Sequence, residues 1–302
     1  MDMTHLKDKK ILSALALVVV VIVIWFTFTQ QKPQEQTQTY DEKWTLSSDG
    51  VLSYPLARPP VKYTEELLSE TAGGKIYKIK FQSRNATIYS LLTIPKRAGA
   101  EKLPGVVLLP GAGVTKESEQ KLAGKMSALG FVVLTLDQRG IGETGNVFIE
   151  GEPPDYAMLY DALRAFDLLK ARAEVDSSNI IMIGGSMGGR FALIATAIEP
   201  NVKGVIGIST SGYDFSRTTF TSPEQFLVAR SIDPNNYIGL ISPRKVVLIH
   251  STNDNVIPIS LAQETFSRAK EPRAFYTVAC NIHGFCEEMA PYLEKELRAI
   301  AG

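Results

Sequence analysis

The chain has 302 residues, of which 45% are hydrophobic, and its 32 Lys and Arg residues balance its 32 Asp and Glu residues. This length and composition favour one large domain with a sizeable buried core. Because the formal net charge is zero, no strong electrostatic field is available to recruit nucleic acid, and nucleic-acid binding is not expected.

The first predicted element is an apolar segment at residues 11–28, ILSALALVVVVIVIWFTF, which contains no charged residue. At about 1.5 Å per residue, a helix of this length spans roughly 27 Å, close to the ~30 Å hydrocarbon core of a bilayer. The segment therefore predicts a transmembrane anchor. The alternatives are a buried core helix and a cleaved signal peptide, whose apolar region would be shorter and followed by a small-x-small cleavage site.

The charges around this segment predict its orientation. Lys7, Lys9 and Lys10 precede it, whereas Lys32 alone follows closely. The positive-inside rule then makes residues 1–10 a cytoplasmic tail of a single-pass membrane protein and places the large domain that follows outside the cytoplasm. Residues 29–74 are interpreted as a polar stalk and lead-in, since their glutamine-rich part cannot bury a core.

Between residues 75 and 302, strand patterns alternate with helix patterns. Two β-rich runs, at residues 75–81 and 87–94, predict an antiparallel start to a sheet. Later apolar runs are typical of strands buried on both faces; they lie at residues 104–109, 131–136, 180–183, 202–208, 246–249 and 274–278. Helical spacing occurs between them, at residues 117–129, 156–173, 187–198, 261–270 and 285–301. This alternation predicts an α/β fold, a mostly parallel twisted sheet with helices on both faces.

One segment departs from the alternation. Residues 211–244 lie between two predicted strands and show weak periodicity. We interpret them as a small cap segment or an elaborated crossover, because functional loops of that length commonly cover a site.

A candidate nucleophile lies at the junction between a predicted strand and a predicted helix. Gly184, Ser186 and Gly188 fit the G-x-S-x-G pattern, which needs this strand–turn–helix context. The flanking glycines suit a sharp turn because the positions before and after the serine approach each other closely. The alternative is a flexible glycine-rich turn without chemistry.

A serine hydroxyl needs a base, and the chain offers three histidines. His5 precedes the apolar segment and would lie on the wrong side of the membrane. His250 ends the apolar run KVVLIH and is interpreted as a strand-end residue. His283, in a loop between the last predicted strand and the last predicted helix, is therefore the candidate base.

The acid that orients the histidine is expected between Ser186 and His283, the order that accompanies this serine motif. Asp254 follows a predicted strand in the loop HSTNDNVIP and is the candidate. Its role would be to accept the second imidazole N–H and fix the tautomer. Asp214 and Asp233 are rivals, but both lie in the irregular segment 211–244.

An oxyanion hole needs two backbone N–H donors. Met187, the residue after the nucleophile, is expected to supply one of them. The loop after the run GVVLLP is expected to supply the other, from Ala112 or, as the next choice, Gly113.

Cys280 and Cys286 lie close together near the end of the chain. They are interpreted as ordinary buried thiols, with a disulfide as the alternative if the domain is exported. A metal site is disfavoured because no second cysteine or histidine pair accompanies them.

With these motifs, the chain from about residue 75 to its end resembles the α/β-hydrolase superfamily. LLPGAG resembles the oxyanion loop of that superfamily, with Pro110 in place of the usual histidine, and LDQRGIGET resembles its D-x-R-G-x-G stretch. In the latter, Asp137 and Arg139 are expected to shape a loop rather than to take part in chemistry. HSTNDNVIP and IHGF resemble the acid and histidine loops.

The ATIYSLLTIPK segment and the HGF stretch look most like the dienelactone-hydrolase-like and prolyl-oligopeptidase-like branches. Dienelactone hydrolases use a cysteine nucleophile, so the serine here implies ester or amide chemistry instead.

The resemblance implies a serine hydrolase acting on a small-molecule ester or acyl substrate, without a metal or organic cofactor, and the apolar segment at residues 11–28 adds a membrane anchor. A carboxylesterase is favoured over a peptidase, since nothing in the chain marks a site for a peptide amine. Acyl transfer to an acceptor other than water would use the same triad. A non-catalytic binding protein on the same fold is disfavoured because all three triad residues are present.

Overall fold

The structure is a computed structural model that describes residues 42–96 and 101–302. The predicted cytoplasmic tail, the predicted transmembrane segment and the glutamine-rich stretch lie outside the described residues. Within residues 42–96 and 101–302, no helix is long and apolar enough to cross a bilayer.

Strands and helices alternate through most of the described chain. The strands are β1 (Thr45–Leu46), β2 (Leu52–Ser53), β3 (Tyr63–Thr71), β4 (Gly74–Ser83), β5 (Ala86–Pro95), β6 (Leu103–Leu109), β7 (Val132–Leu136), β8 (Val175–Gly185), β9 (Gly204–Ile208), β10 (Lys245–Ser251) and β11 (Arg273–Val278). The helices are α1 (Gln120–Ala128), α2 (Pro154–Ala171), α3 (Met187–Ile198), α4 (Pro223–Ser231), α5 (Ile259–Ser267) and α6 (Ala290–Ala301).

Strands β3 to β11 form one mixed sheet in the order β11-β10-β9-β8-β6-β7-β5-β4-β3. Neighbours from β11 to β7 pair in parallel, whereas β5, β4 and β3 extend the sheet with antiparallel pairs. The predicted antiparallel start and parallel continuation are therefore confirmed. Chain order reverses at β6, which lies between β7 and β8, and ligands of open α/β sheets bind beside the carboxyl ends of strands at such a point.

Helices cover both faces of the sheet, as the alternation predicts. On one face, α2 and α3 pack through residues such as Phe166 and Leu193. On the other face, α1 and α6 pack through residues such as Met126 and Leu297. The central strands are apolar on both sides because both sides are covered.

The compact unit begins earlier than residue 75, the predicted start of the domain. It spans Asp41–Gly302, and strand β3 belongs to its sheet. The Leu52 side chain is fully buried, and its backbone N–H donates to the Tyr237 hydroxyl over 2.7 Å. The Arg58 guanidinium donates to Asp167 on α2 over 2.8 Å. Residues 42–74 are therefore part of the folded domain rather than a lead-in to it.

Residues 211–244 form a compact crossover between β9 and β10. This segment contains α4 and short 3-10 turns, and its Tyr237, Ile238 and Ile241 are buried in the core beside α3. The hydrophobic periodicity of this segment is weak because its helices and turns are short and only a few of its side chains are buried.

The interpretation of the two cysteines as free thiols is wrong in the structure. Cys280 and Cys286 form a disulfide, with their Cα atoms 6.8 Å apart. The loop after β11 turns back on itself between them, which brings the two side chains together. This disulfide closes a short loop that contains His283.

We expect a Leu52→Ala substitution to lower the free energy of unfolding by about 2–5 kcal/mol, because it leaves a cavity in a filled core. The matched control is Leu56→Ala, since Leu56 is 57% exposed and its truncation should cost less than about 0.5 kcal/mol. Urea unfolding of both variants measures the difference. Equal stabilities would show that residues 42–74 are not integral to the domain.

Candidate active site

Ser186 occupies a sharp turn between β8 and α3. Its backbone has φ = 51° and ψ = −119°, a conformation that a residue with a side chain seldom adopts. The Ser186 N–H donates to the Ile208 carbonyl over 2.9 Å, and the Thr210 hydroxyl donates to the Ser186 carbonyl over 2.7 Å. The surrounding backbone therefore holds the serine in a strained geometry, which is a frequent property of functional residues.

Two glycines permit this turn because other backbone atoms fill the space beside them. A Cβ atom at Gly184 would lie 2.3 Å from the Gly188 carbonyl. A Cβ atom at Gly188 would lie 2.1 Å from the carbonyl oxygen of Leu109 at the end of β6. Strand β8, helix α3 and the loop after β6 thus approach one another through their backbones.

The structure brings His283 and Asp254 together. The Nδ1 atom of His283 lies 3.0 Å from Oδ1 and 2.9 Å from Oδ2 of Asp254. The Asp254 side chain is fully buried, whereas the His283 side chain is 21% exposed. With its Nδ1–H donated to Asp254, the neutral imidazole has a free Nε2 acceptor, as a general base requires.

Several donors stabilise the Asp254 carboxylate. Burial raises its pKa, but hydrogen bonds from the Ile257 N–H, His283 and the Val256 N–H outweigh burial and hold the pKa below its usual value. Oδ1 accepts from both backbone N–H groups over 2.9 Å. Asp254 is therefore ionised at neutral pH and can stabilise an imidazolium.

His250 is a buried neighbour of this carboxylate. Its Nε2 lies 2.9 Å from the Ile257 carbonyl, to which it donates, and 3.6 Å from Asp254 Oδ2. Burial holds its pKa below the usual value, so the ring is neutral. His250 thus supports the Asp254 loop, consistent with its interpretation as a strand-end residue.

The two amides proposed for an oxyanion hole flank the nucleophile. Met187 is the first residue of α3, and Ala112 is exposed beside Gly111. A Cβ atom at Gly111 would lie 3.6 Å from Ser186 Cβ, so the loop is close to the serine. Within the part of the chain that the structure describes, neither the Ala112 nor the Met187 N–H donates a hydrogen bond.

A buried ion pair holds the loop that carries Ala112. Asp137 accepts from the Lys116 N–H over 2.8 Å and from Lys116 Nζ over 2.7 Å. Burial lowers the Lys116 pKa, but hydrogen bonds from its ammonium to Asp137, Glu117 and Glu143 raise it above the usual value. Gln138 Nε2 also donates to the Pro110 carbonyl over 2.9 Å. The D-x-R-G-x-G stretch therefore shapes the neighbouring loop, as predicted for Asp137.

Arg139 has a structural role as well. Its guanidinium donates to Asp161 on α2 over 2.8 Å and 2.9 Å, and both side chains are buried. This pair lies away from the cavity around Ser186.

A cavity of about 270 Å³ lies beside the candidate nucleophile and the candidate base. Ser186, His283 and Ala112 all line it, and most of the remaining wall is small or apolar, from Gly111, Val114, Leu122, Gly185, Ile208, Val256, Gly284 and Phe285. Glu119 is the one carboxylate in its lining.

The rival acids lie elsewhere. Asp233 accepts from the Tyr213 and Asn235 N–H groups, and Asp214 accepts from the Ser216 N–H. Neither lines the cavity, and no residue of the crossover 211–244 does. In the ranges 42–96 and 101–302, no three His, Cys, Asp or Glu side chains are grouped to hold a metal ion.

Comparison with known proteins identifies the fold. Residues 101–230 match a family model described as "Serine aminopeptidase, S33". The acetyl xylan esterase from Paenibacillus sp. R4 superposes with a TM-score of 0.68 at 18% identity, over 80% of this chain and 89% of that protein. The chain therefore has the α/β-hydrolase fold.

Two sequence relatives match most of the length of this chain. The uncharacterized protein YfhR of Escherichia coli (strain K12) is 24% identical over 210 residues, which cover 68% of this chain and 72% of YfhR. The acetyl esterase Axe7A of Xylanibacter ruminicola is 25% identical over 282 residues, 82% of this chain and 63% of that protein. Together with the family match, these similarities support an enzyme of the serine hydrolase class.

Three contributors to the site of this α/β-hydrolase were not predicted from the sequence. Thr210 holds the Ser186 carbonyl, His250 supports Asp254, and Glu119 faces the cavity. Position at the carboxyl end of a strand could have indicated both residues, because Thr210 follows β9 closely and His250 lies near the end of β10. No sequence pattern distinguishes Glu119 from the other acidic residues nearby.

An Asp254→Asn substitution should lower kcat by about 10²–10⁴-fold, because an amide at this position favours the wrong imidazole tautomer. Asp214→Asn is the control, since Asp214 is exposed in the crossover and should leave kcat within about twofold. Steady-state hydrolysis of p-nitrophenyl acetate measures both variants. A loss in Asp214→Asn without a loss in Asp254→Asn would reverse the assignment of the acid.

Proposed function

We propose that this protein is a membrane-anchored serine esterase that cleaves small-molecule esters through an acyl-enzyme. The observation that carries the proposal is that Ser186 and His283 line one cavity, with His283 hydrogen-bonded to the buried Asp254. These groups supply a nucleophile, a base and an orienting carboxylate in one place.

The first step is attack of the Ser186 hydroxyl on the ester carbonyl. His283 takes the hydroxyl proton on Nε2, and Asp254 stabilises the resulting imidazolium. The negative charge of the tetrahedral intermediate falls on the carbonyl oxygen, where the Met187 and Ala112 N–H groups would stabilise it.

Collapse of the intermediate expels the alcohol and leaves an acyl group on Ser186. His283 returns its proton to the departing alkoxide. Water then attacks the acyl-enzyme with His283 again as base, which releases the acid and restores the serine.

The size of the cavity favours a short acyl group. Its volume of about 270 Å³ is just below the usual range of ligand pockets, which is about 300–1,000 Å³. The names of two similar proteins, an acetyl esterase and an acetyl xylan esterase, support the same class of bond. The sugar or other alcohol in the natural substrate is not specified by this argument.

Amide cleavage is the second candidate, because the matching family model is described as a serine aminopeptidase. The same three residues would act, but an amine leaves less readily than an alcohol. Comparison of p-nitrophenyl acetate with p-nitroacetanilide distinguishes the two activities.

A Ser186→Ala variant should lose at least about 10³-fold in kcat for p-nitrophenyl acetate, since no covalent intermediate can form. It should also lose all labelling by a fluorophosphonate probe. The control is Ser118→Ala, because Ser118 is an exposed serine outside the inner cavity. Labelling that survives in Ser186→Ala would contradict the proposed nucleophile.

The membrane anchor is part of the proposal and rests on the sequence alone. Residues 11–28 are uncharged and apolar, and three lysines precede them. This pattern favours a single span with the N-terminus in the cytoplasm and the esterase domain outside it.

The full chain should sediment with membranes and resist extraction by alkaline carbonate, whereas a chain lacking residues 1–39 should not, because the apolar span is absent from it. Protease added to intact spheroplasts should degrade the esterase domain of the full chain. A soluble full chain would contradict the anchor, and a protected domain would contradict its orientation.

A further inference from the structure

Glu119 is an acidic side chain at the junction of two spaces. It lines the inner cavity together with Ser186 and His283. It also lines an outer groove of about 660 Å³, which includes His283 and extends along the loop of the disulfide. An alcohol that departs from the ester at Ser186 through the outer groove would therefore pass Glu119.

The Glu119 carboxylate has no ion-pair or hydrogen-bond partner among residues 42–96 and 101–302. It precedes α1 without capping it. The nearby lysines are engaged elsewhere, since Lys121 and Lys125 pair with Glu287 over 2.7 Å and 2.8 Å. Glu119 thus differs from Glu117, which pairs with the buried Lys116.

Apolar side chains lie beside Glu119 in both spaces. Burial raises its pKa to about 7. Val114, Leu122 and Phe285 line both spaces with it and offer no hydrogen bond from their side chains. A partly desolvated, unpaired carboxylate is costly, and a ligand that brings a positive charge relieves that cost most effectively.

We propose that Glu119 is a specificity-determining residue that recognises a cationic group on the alcohol portion of the ester. This inference rests on the proposed esterase function. The alcohol is the relevant portion because His283, which would protonate it, lines the same junction. A neutral hydroxyl could also bond to Glu119, but it would leave the charge of the carboxylate uncompensated.

Three thioacetates with one acyl group and different leaving groups test this proposal. Acetylthiocholine carries a trimethylammonium group, 3,3-dimethylbutyl thioacetate is its neutral isostere, and S-(2-hydroxyethyl) thioacetate carries a hydroxyl. Thiol release can be followed with a disulfide reagent, because residues 42–96 and 101–302 contain no free cysteine.

The readout is the ratio of kcat/KM for the cationic ester to kcat/KM for its neutral isostere. In the full-length wild-type protein this ratio should be about tenfold at pH 8, and Glu119→Gln should reduce it to about one, as expected for loss of a partly buried charge pair. The matched control is Glu288→Gln, which removes a carboxylate from the outer groove only and should keep the wild-type ratio.

The ratio should also depend on pH in the wild-type protein. Glu119 becomes ionised as the pH rises through about 7, so the preference for the cation should increase between pH 6 and pH 8. His283, Lys121, Glu287 and Glu288 are the other titratable groups along the outer groove. Lys121 and Lys125 hold the pKa of Glu287 below its usual value, so Glu287 stays ionised over this range. In Glu119→Gln the ratio should not change with pH.

A wild-type ratio near one, or an unchanged ratio in Glu119→Gln, would overturn the inference. Preference for the hydroxyethyl ester over both others would overturn it in favour of a neutral donor. If the wild-type protein cleaves no ester, the proposed function fails, and calorimetric titration with butyltrimethylammonium then decides the remaining question. Binding that is lost in Glu119→Gln would retain the cation site, and absence of binding would exclude it.

Discussion

The absence of side chains at Gly184 and Gly188 is the constraint on which the candidate site depends. At these positions β8, α3 and the end of β6 meet through backbone atoms, and even a methyl group would overlap a carbonyl. This close packing holds Ser186 at a positive φ and leads directly into helix α3, which begins at Met187. The orientation of the serine and the position of one proposed oxyanion donor thus have the same steric cause.

Charges and hydrogen bonds hold the other two loops of the candidate site, the loop of Asp254 and the loop of Ala112. Asp254 is buried, yet it remains ionised because two backbone amides and His283 donate to it. Asp137 has a comparable arrangement with the backbone and ammonium of Lys116. Each aspartate holds a loop at the carboxyl edge of the sheet: Asp254, the proposed acid, holds its own loop after β10, and Asp137 holds the loop that carries Ala112. Breaking either arrangement would leave a buried charge without compensation.

The parallel strands, the serine turn and the pairing of His283 with Asp254 could be predicted because each follows from a local pattern with one favourable outcome. Strand β3 could not, because it is an exposed edge strand with charged residues such as Glu65 and Glu66 and lacks a buried face. The disulfide depends on how the loop around His283 folds, which spacing alone does not determine. Glu119 could not be predicted because it is distinguished by having no ion-pair or hydrogen-bond partner among the described residues. Only three-dimensional contacts reveal such a difference.

The crossover between β9 and β10 packs into the core but contributes nothing to the cavity wall. Two short stretches, residues 111–122 and 283–285, provide most of that wall, and they flank the residues that would perform catalysis. In many enzymes an inserted lid allows substrate preference to diverge while the catalytic loops stay fixed. Here a change in substrate preference would require substitutions beside the reacting atoms. Such substitutions would also affect the rate of the reaction, so the two properties would change together.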